Sequence, residues 1–397
     1  MRVCVVSFKE CWQDEAGNWL SSGGFPLQMA AIRSLFHEMT LLIVKGRPGT
    51  GGIPLPAQIR VVPLHRPAGQ DFWRKLSVIL RLPHYLTAIV SHARKADVVH
   101  VPLPGDLPFL GMVVAMVLGK RLLARFGGSW VHTSETTLMD RVTKSLMRVF
   151  AGGRNVMLAT GAGIGAPAHN MNWIFSTSIS NAEVASVQPT LGRVPADPLR
   201  LVYLGRLSPE KGLIFLITAL ASLRKDGHLN GRKARLTVIG DGPQRSELAA
   251  LAEKLGCRDS IQFTGQLNRC DLMQQLLQAD VCVLPSLTES FCKARLDAML
   301  CGVPVVTTEV GFGRQIIGED GQRGWITGAK DTGSIEAALR RVLTESIDWP
   351  GIRQRCRVYV EGKSLENWSI EIGSICAQQW GLSVISGKLQ RLAEWKL

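Results

Sequence analysis

No hydrophobic run in the sequence is long enough to cross a membrane. The longest apolar stretch, residues 107–119, contains a proline and falls well short of the roughly 20 residues that a membrane-spanning helix needs. The opening MRVCVVSFKE has only a short apolar run before charges return, unlike a secretory signal. These absences predict a cytoplasmic protein whose membrane contact, if any, is peripheral and at the inner face.

The chain also lacks the residue spacings of disulfide frameworks, zinc sites and dinucleotide-binding loops. Its nine cysteines are odd in number and include no CxxC pair. Neither half has a GxGxxG fingerprint followed by an acid about 20 residues on. We therefore expect reduced thiols, no metal and no cofactor.

What the chain does contain is a repeated alternation of short β-branched runs and amphipathic stretches. This pattern is typical of βαβ units that build parallel sheets, so the predicted fold class is α/β. A length of 397 residues suits two domains, and residues 187–198, with their prolines and glycine, resemble a linker. We predict an N-terminal domain over residues 1–187 and a C-terminal domain over 188–361, with residues 362–397 completing the second domain or packing back on the first.

Positive charge is in excess and unevenly distributed. The formal net charge is +14, and residues 1–198 hold 20 Lys and Arg against 11 Asp and Glu. Such an excess suits an anionic membrane surface, an anionic substrate or nucleic acid, and equally a basic surface that is merely solvated. Charge alone does not choose among these.

The first candidate site is the segment LVYLGRLSPEKG, in which Gly205, Arg206 and Lys211 follow a buried strand. Ligands of open α/β sheets bind at the carboxyl ends of strands. Two cations five residues apart, together with the Gly212 amide at the start of a helix, can neutralise a diphosphate. The alternative is an ordinary basic loop between a strand and a helix.

Two further segments follow along the chain. In TVIGDGPQRSEL, the residues Gly240, Asp241 and Gly242 form a tight turn from a strand into a helix, which is weak evidence by itself. In PSLTESFCKARLDAMLCGVPVV, Glu289 lies on a loop and Asp297 lies eight residues later in a helix. Two such acids can accept hydrogen bonds from the hydroxyls of one sugar-containing ligand.

Taken in order, the three segments resemble the family 4 glycosyltransferases, which have the GT-B architecture of two facing Rossmann-like domains with parallel sheets and an interdomain cleft. The resemblance covers residues 201–308, whereas the N-terminal half is similar only in its strand and helix layout and its glycine-containing first loop. It implies a retaining, metal-independent transfer of sugar from a nucleotide-sugar in the second domain to an acceptor in the first.

The resemblance also implies roles for single positions. Arg206 and Lys211 hold the donor diphosphate as it leaves. Glu289 contacts the transferred sugar, orienting it rather than attacking it, and Asp297 binds the ribose hydroxyls. The resemblance implies further donor contacts in both halves. In the C-terminal half they involve the first two segments, the amides that follow the first acid and the base-binding loop, and in the N-terminal half they involve the SSGGFPL loop. The residues are Gly205, Gly240, Asp241, Gly242, Phe291, Cys292, Lys293, residues 265–268, Gly23 and Gly24.

Three positions depart from the family pattern. Asp297 stands where glutamate is usual, which shortens the reach to ribose by one methylene. Cys292 stands where glycine or proline is common, and this restricts the loop. Phe126 lies at about the position of a histidine that contacts the sugar in many members; nearby His132 either replaces it or is a surface or structural residue.

The acceptor side is less defined. Residues 71–96 combine apolar and basic side chains, which suits either an amphipathic helix on an anionic membrane or a core helix with a solvated edge. We expect Pro83 to kink or end this helix. Trp19, Trp130 and Trp173 either stack on sugars or simply bury apolar area.

The sequence therefore predicts a hexosyltransferase of cell-surface polysaccharide or glycolipid assembly. Its expected partners are a nucleotide-sugar donor, a lipid-linked or oligosaccharide acceptor and an anionic membrane contacted peripherally, with no nucleic acid. Two alternatives remain: a sugar-nucleotide epimerase of the same architecture, and a catalytically inactive sugar-nucleotide-binding protein.

Overall fold

A computed structural model describes residues 1–48, 52–67, 77–130, 136–163, 165–195, 197–225 and 233–391. The chain divides into two compact units: unit 1 comprises Met1–Ser178 with Leu365–Leu397, and unit 2 comprises Ile179–Ser364. Each unit is built on a sheet with helices between successive strands, which confirms the predicted α/β class.

The sheet of unit 1 is centred on a long first strand. Its parallel strands lie in the order β5, β3, β1, β6, β7, β8, β9, and two short strands, β2 and β4, extend it with antiparallel pairing. The strands are β1 (Arg2–Gln13), β2 (Trp19–Ser21), β3 (Glu38–Lys45), β4 (Ile53–Pro54), β5 (Ile59–Leu64), β6 (Val98–Leu103), β7 (Arg121–Phe126), β8 (Asn155–Thr160) and β9 (Met171–Ile174). The strands β2 and β4 were not predicted because two or three residues are too few to show a period.

The helices that follow these strands are α1 (Phe25–Ser34), α2 (Leu82–Lys95), α3 (Asp106–Val117) and α4 (Leu138–Phe150). Helix α2 buries Tyr85, Ile89 and Ala93, which are spaced by four residues, so this part of segment 71–96 forms a core helix. Pro83 lies in the first turn of α2, where its missing N–H is not needed. Helical residues 77–80 end at a turn at residue 81, two residues before Pro83, which agrees with the prediction that this proline kinks or ends the helix. The aromatic start of that segment, residues 71–76, lies outside the described residues.

The sheet of unit 2 is parallel throughout, with strand order β12, β11, β10, β13, β14, β15. Its strands are β10 (Leu199–Leu204), β11 (Ala234–Ile239), β12 (Ile261–Gly265), β13 (Val281–Leu284), β14 (Val305–Thr308) and β15 (Gly324–Thr327). Every residue of β13 and β14 is buried, as expected for a sheet covered on both faces. The short edge strand β15 was not predicted.

The helices of unit 2 are α5 (Asn181–Ser186), α6 (Leu213–Lys225), α7 (Arg245–Lys254), α8 (Arg269–Gln278), α9 (Lys293–Leu300), α10 (Gly313–Ile317), α11 (Thr332–Thr344) and α12 (Trp349–Glu361). None of the helices in the described ranges combines the length and apolarity needed to cross a bilayer. All nine cysteines are free thiols.

The division between the units falls nine residues before the predicted boundary at residue 187. Helix α5, just after this division, is bound to unit 2: Glu183 pairs with Arg269, and Arg357 donates to the carbonyl of Val184. The predicted linker is also anchored there, because Arg353 donates to the carbonyl of Arg193 at 3.0 Å.

The chain after residue 364 returns to unit 1. Helix α13 (Leu365–Trp380) is followed by a hairpin of β16 (Leu382–Ile385) and β17 (Lys388–Arg391). Trp368 is fully buried, with the guanidinium of Arg125 at 5.4 Å from its ring centre. Trp380 donates from its indole to the carbonyl of Arg154 at 3.0 Å. These contacts pack the C-terminal helix on the first unit.

A buried carboxylate joins two central strands of unit 2. Asp280 is fully buried just before β13, and Arg200 of β10 donates to both of its oxygens, at 3.1 and 3.0 Å. Arg193 and Arg353 lie 3.2 and 3.5 Å from the same carboxylate. Removing one member of a buried ion pair is costly because the remaining charges are left without compensation.

We expect Asp280→Ala to destabilise unit 2 by about 3–5 kcal/mol, the usual cost of breaking a buried pair. The measurement is urea unfolding followed by circular dichroism. Asp259→Ala is the matched control, since it removes a carboxylate that pairs with Arg224 at the surface, and it should leave the midpoint almost unchanged. Equal midpoints for the two variants would contradict the role given to Asp280.

Candidate functional site

Three loops meet at the carboxyl edge of the sheet of unit 2. We name residues 205–212 the first loop, 240–244 the second loop and 285–292 the acid loop. They follow β10, β11 and β13, which are adjacent parallel strands. Main-chain bonds join them: Leu207 donates to the carbonyl of Asp241 at 3.0 Å, and Leu287 donates to that of Glu210 at 2.8 Å. The three predicted segments therefore form one site.

Glycines allow the loops to come this close. A Cβ on Gly240, which has φ +132°, would lie 1.9 Å from the carbonyl oxygen of Gly205. A Cβ on Gly242 would lie 2.3 Å from the oxygen of Leu207. No side chain fits at such distances. The IGDGP turn thus needs its glycines for contact with the first loop, a reason that turn geometry alone did not suggest.

The acid loop approaches the first loop in the same way. Gly212, at φ +66°, would place a Cβ 2.2 Å from the carbonyl oxygen of Pro285. Its left-handed conformation ends a short 3-10 turn, Pro209–Lys211, before helix α6 begins. This turn places Lys211 next to the acid loop.

Lys211 and Glu289 form the central charge pair of the site. The Lys211 ammonium donates to Glu289 Oε1 at 2.6 Å, and the Ser286 hydroxyl donates to the same oxygen at 3.0 Å. Burial by itself lowers the pKa of Lys211, but the charge of Glu289 and the hydrogen bond to it outweigh this and raise that pKa above its usual value. Lys211 is therefore a cation throughout the neutral range, and Glu289 is its counterion.

Arg206 is the second cation of the first loop. Its side chain is exposed and forms no ion pair within the described part of the chain, while its carbonyl accepts from the Tyr203 hydroxyl at 2.9 Å. The residue lines a cavity of about 660 Å³ beside the first two loops. Other residues around this cavity are Gly205, Gly240, Asp241, Gly242, Gln266 and Leu267. An unpaired guanidinium at an open cavity can bind an anion.

Asp297 has a different partner. It lies on α9, with Arg269 of α8 at 2.8 Å, and the same guanidinium is 2.5 Å from Glu183. Burial raises the pKa of Asp297, an effect that Arg269 only partly offsets. Sequence reasoning missed this arginine, which comes from a helix with no motif of its own.

The end of the acid loop leads into the amino end of α9. Cys292 adopts the left-handed region at φ +57°, where a residue with a Cβ is disfavoured and glycine is not. The predicted departure from the family pattern at this position therefore places a side chain where the backbone conformation favours glycine. Burial raises the pKa of the Cys292 thiol to about 12, so it is a neutral thiol and a poor nucleophile. Phe291 is buried, and Lys293 begins the helix.

Arg295 bonds to the acid loop, at the carbonyl of Phe291 (3.4 Å), and more closely to the chain after β14. It is fully buried and donates to the carbonyls of Gly311 and Val310, both at 2.7 Å, and to Thr307 Oγ1 at 3.1 Å. This joins α9 to the loop after β14, where Gly311 approaches Glu289 so closely that a Cβ would lie 2.4 Å from the glutamate Cβ. Sequence reasoning missed Arg295 because a single arginine in a short helix does not indicate burial.

Unit 1 holds the remaining predicted residues. Gly23 and Gly24 directly precede α1, and Gly23 adopts φ +65°. Phe126 ends β7 and is buried edge-to-face against Trp130, with ring centres 5.8 Å apart, so its side chain belongs to the core. His132 lies outside the described residues. Within those residues no group of three or more His, Cys, Asp or Glu side chains is arranged to hold a metal ion.

The tryptophans of unit 1 differ in exposure. Trp130 is buried, and Trp173 is partly buried and packs against the core cluster. Both positions favour a packing role over sugar stacking. Trp19 lies in β2 and is half-buried.

Comparison with known proteins finds similarity in the second unit. Residues 192–361 match the family model for Glycosyl transferases group 1. The chain is 33% identical over 182 residues to an uncharacterized glycosyltransferase of Methanocaldococcus jannaschii, covering 46% of this chain and 44% of that protein. It is 35% identical over 181 residues to a glycogen synthase of Mycobacterium tuberculosis, covering 45% and 41%. The chain thus spans less than half the length of these curated relatives, and the similarity to group 1 glycosyltransferases lies in unit 2.

Solved structures extend the likeness to both units. Sucrose-phosphate synthase from Thermosynechococcus elongatus superposes with a TM-score of 0.70 at 18% identity, covering 95% of this chain and 98% of that one. Anabaena HepE, solved with UDP and glucose, gives a TM-score of 0.64 at 18% identity, covering 93% and 99%. At these identities the likeness shows the fold alone, which confirms the GT-B class with two Rossmann-like units.

We expect Gly240→Ala to lower the thermal unfolding midpoint of the protein more than Gly256→Ala does. Both glycines have positive φ, but a Cβ at Gly256 meets nothing within 4 Å. The control should therefore cost only the left-handed backbone penalty, roughly 1–2 kcal/mol, whereas Gly240→Ala must also separate the first two loops. Scanning calorimetry of both variants measures the difference. Similar midpoints would show that the loops do not need this contact.

Proposed function

We propose that this chain, whose second unit matches the family model for group 1 glycosyltransferases, transfers a sugar with retention of configuration from a nucleotide-sugar to an acceptor held by unit 1. The observation that carries the proposal is the convergence of the three loops around the Lys211–Glu289 pair, with Arg206 unpaired beside them. A cationic site next to a well-placed carboxylate suits a ligand that has both a diphosphate and a sugar. HepE, a structural neighbour, has been solved with UDP and glucose.

The donor diphosphate lies against Arg206 and Lys211 in this proposal. Both cations come from the first loop, and the amino end of α9 adds backbone N–H groups that no intrahelical carbonyl satisfies. Negative charge grows on the diphosphate as the bond to the sugar breaks. Fixed positive groups at that position stabilise the transition state more than the ground state, and this is the largest contribution expected from the protein. The reaction then needs no metal.

Glu289 orients the transferred sugar. Its Oε1 accepts from Lys211 and Ser286, so this oxygen is fixed in place. The other oxygen can accept hydrogen bonds from sugar hydroxyls. A glutamate held in this way positions the donor while the leaving diphosphate meets the cations. The thiol of Cys292, with its raised pKa, takes no part as a nucleophile.

Asp297 and the cavity at the second loop bind the nucleoside. Asp297 accepts hydrogen bonds from the ribose hydroxyls. Arg269, which also pairs with Glu183, holds the Asp297 carboxylate in place. The base enters the cavity beside the second loop, where Gln266 and Leu267 of the predicted base loop are among the lining residues. Backbone groups of this loop supply the base contacts.

The acceptor is a lipid-linked sugar or an oligosaccharide in cell-surface polysaccharide or glycolipid assembly. The observation that favours it is the basic N-terminal half, with 20 Lys and Arg against 11 Asp and Glu in residues 1–198. Such a surface suits a peripheral position on an anionic membrane, where lipid-linked acceptors lie. The protein works in the cytoplasm, at the inner face of this membrane.

One experiment tests this function against its alternatives. The purified protein is incubated with UDP-, GDP- and ADP-sugars, with and without lipid and oligosaccharide acceptors and with and without EDTA, and nucleoside diphosphate and products are quantified. Acceptor-dependent release of nucleoside diphosphate that EDTA does not reduce is expected. Conversion of the donor sugar without an acceptor would indicate an epimerase, and binding without release would indicate an inactive binding protein.

We expect Arg206→Ala and Lys211→Ala each to reduce kcat by about 10²–10³, the usual effect of removing one group that faces developing charge. The control is Arg224→Ala, which removes an arginine of α6 that pairs with Asp259 and lies outside the three loops. It should keep normal turnover. Initial rates of nucleoside diphosphate release measure all three variants, and near-normal rates in both loop variants would exclude the diphosphate assignment.

A further inference from the structure

Helix α4 of unit 1 presents apolar side chains to solvent. Five of its thirteen residues are large, apolar and 41–77% exposed. These are Leu138, Met139, Val142, Val149 and Phe150. A surface helix normally turns its apolar residues towards the core, so this arrangement is the reverse of the usual one.

The exposed residues form one continuous face. At about 100° per residue, the five side chains and the half-buried Leu146 fall within roughly a third of the helix circumference. Scattered surface apolar residues are common, but a contiguous apolar face marks a site of interaction. We name this set of six residues the apolar face of α4.

The opposite side of α4 explains how the helix stays attached. It buries Thr143, Lys144 and Met147, and the Lys144 ammonium lies 5.1 Å from the ring centre of Phe126. The guanidinium of Arg148 lies 5.0 Å from that of Trp130. Cation–π contacts thus hold the polar side of the helix against the core aromatics. Since these contacts secure the inward side, the apolar face is left outside.

The helix start is also fixed. Thr137 and Asp140 form a capping box, in which the Asp140 amide donates to Thr137 Oγ1 at 3.1 Å and the Thr137 amide donates to the Asp140 carboxylate at 3.1 Å. Asp140 is the one acidic residue of α4, and its carboxylate is hydrogen-bonded within the capping box at the amino end of the helix. The helix is formed and oriented before any partner binds.

The charges beside the apolar face are basic. Arg141 and Arg148 are exposed along one flank of it, and Arg154 is exposed just beyond the carboxyl end of the helix. An apolar face flanked by arginines suits the surface of an anionic membrane, where the apolar side chains contact lipid tails and the arginines contact the headgroups. Binding of this kind does not require a membrane-spanning helix.

We propose that the apolar face of α4 inserts into the surface of an anionic lipid bilayer, with the helix lying parallel to the membrane plane and the flanking arginines on lipid phosphates. The inference refines the membrane contact within the proposed function by naming the surface that makes it. It places the contact on α4 rather than on α2, whose apolar stripe is used in the core. Donor chemistry in unit 2 does not depend on it.

The test is co-sedimentation of the full chain with vesicles of phosphatidylcholine alone or mixed with phosphatidylglycerol. The protein should bind the mixed vesicles and lose binding as salt is raised. The double variant Leu138→Gln with Val149→Gln should bind at least about tenfold more weakly, because it removes apolar area that enters the lipid. Arg141→Gln should weaken binding about fivefold and only on anionic vesicles.

The control is Val358→Gln with Ile370→Gln, which removes two similarly exposed apolar side chains from α12 and α13. It should bind vesicles like the unchanged protein. Equal binding by all variants, or no binding to either vesicle type, would overturn the proposal. The proposal would also be overturned if the unchanged protein bound no vesicles but self-associated with rising concentration, and the α4 double variant did not. That result would indicate that a second copy of the chain covers the apolar face. Donor hydrolysis without vesicles should be equal in every variant, which separates this test from that of the proposed function.

Discussion

The close approach of two backbone turns is the constraint on which the site depends. Carbonyl oxygens of the first loop occupy the space where side chains of Gly240 and Gly242 would project. Because adjacent parallel strands end at the same edge, the loops that follow them must share a narrow volume. Glycine is the residue that permits it. The cations of the first loop and the cavity beside the second loop are held at fixed positions as a result.

Three sets of charges in unit 2 are compensated, whereas Arg206 beside the cavity is exposed. Asp280 is surrounded by three arginines, Lys211 faces Glu289, and Asp297 shares Arg269 with Glu183. Removing one member of such a set is costly, because it leaves the remaining buried charge without compensation. Arg206 is exposed and unpaired among the described residues, so it is available to a ligand that brings its own negative charge. The same arrangement that stabilises the fold therefore identifies the position of the diphosphate in the proposed function.

Unit 1 uses cations differently. Lys144 and Arg148 lie over the rings of Phe126 and Trp130 rather than against carboxylates. Phe126, which the resemblance places near a histidine of many family members, serves here as a packing surface for α4. Its side chain thus links a core position at the end of β7 to the orientation of a surface helix. An aromatic ring packs against the methylene groups of a lysine and also attracts its ammonium, which reduces the cost of desolvating the charge. An aliphatic side chain offers only the packing.

The sequence by itself determined the α/β class, most of the parallel strands and the three loop segments, because buried strands and tight turns depend on local residue type and spacing. It could not indicate that Arg295 and Arg269 support the acids, since both arginines become partners only when separate helices pack together. It could not show that Gly240 touches Gly205, that residues 365–380 join unit 1, or that α4 turns its apolar face outward. Those features arise from contacts between distant parts of the chain, and only the tertiary structure decided them.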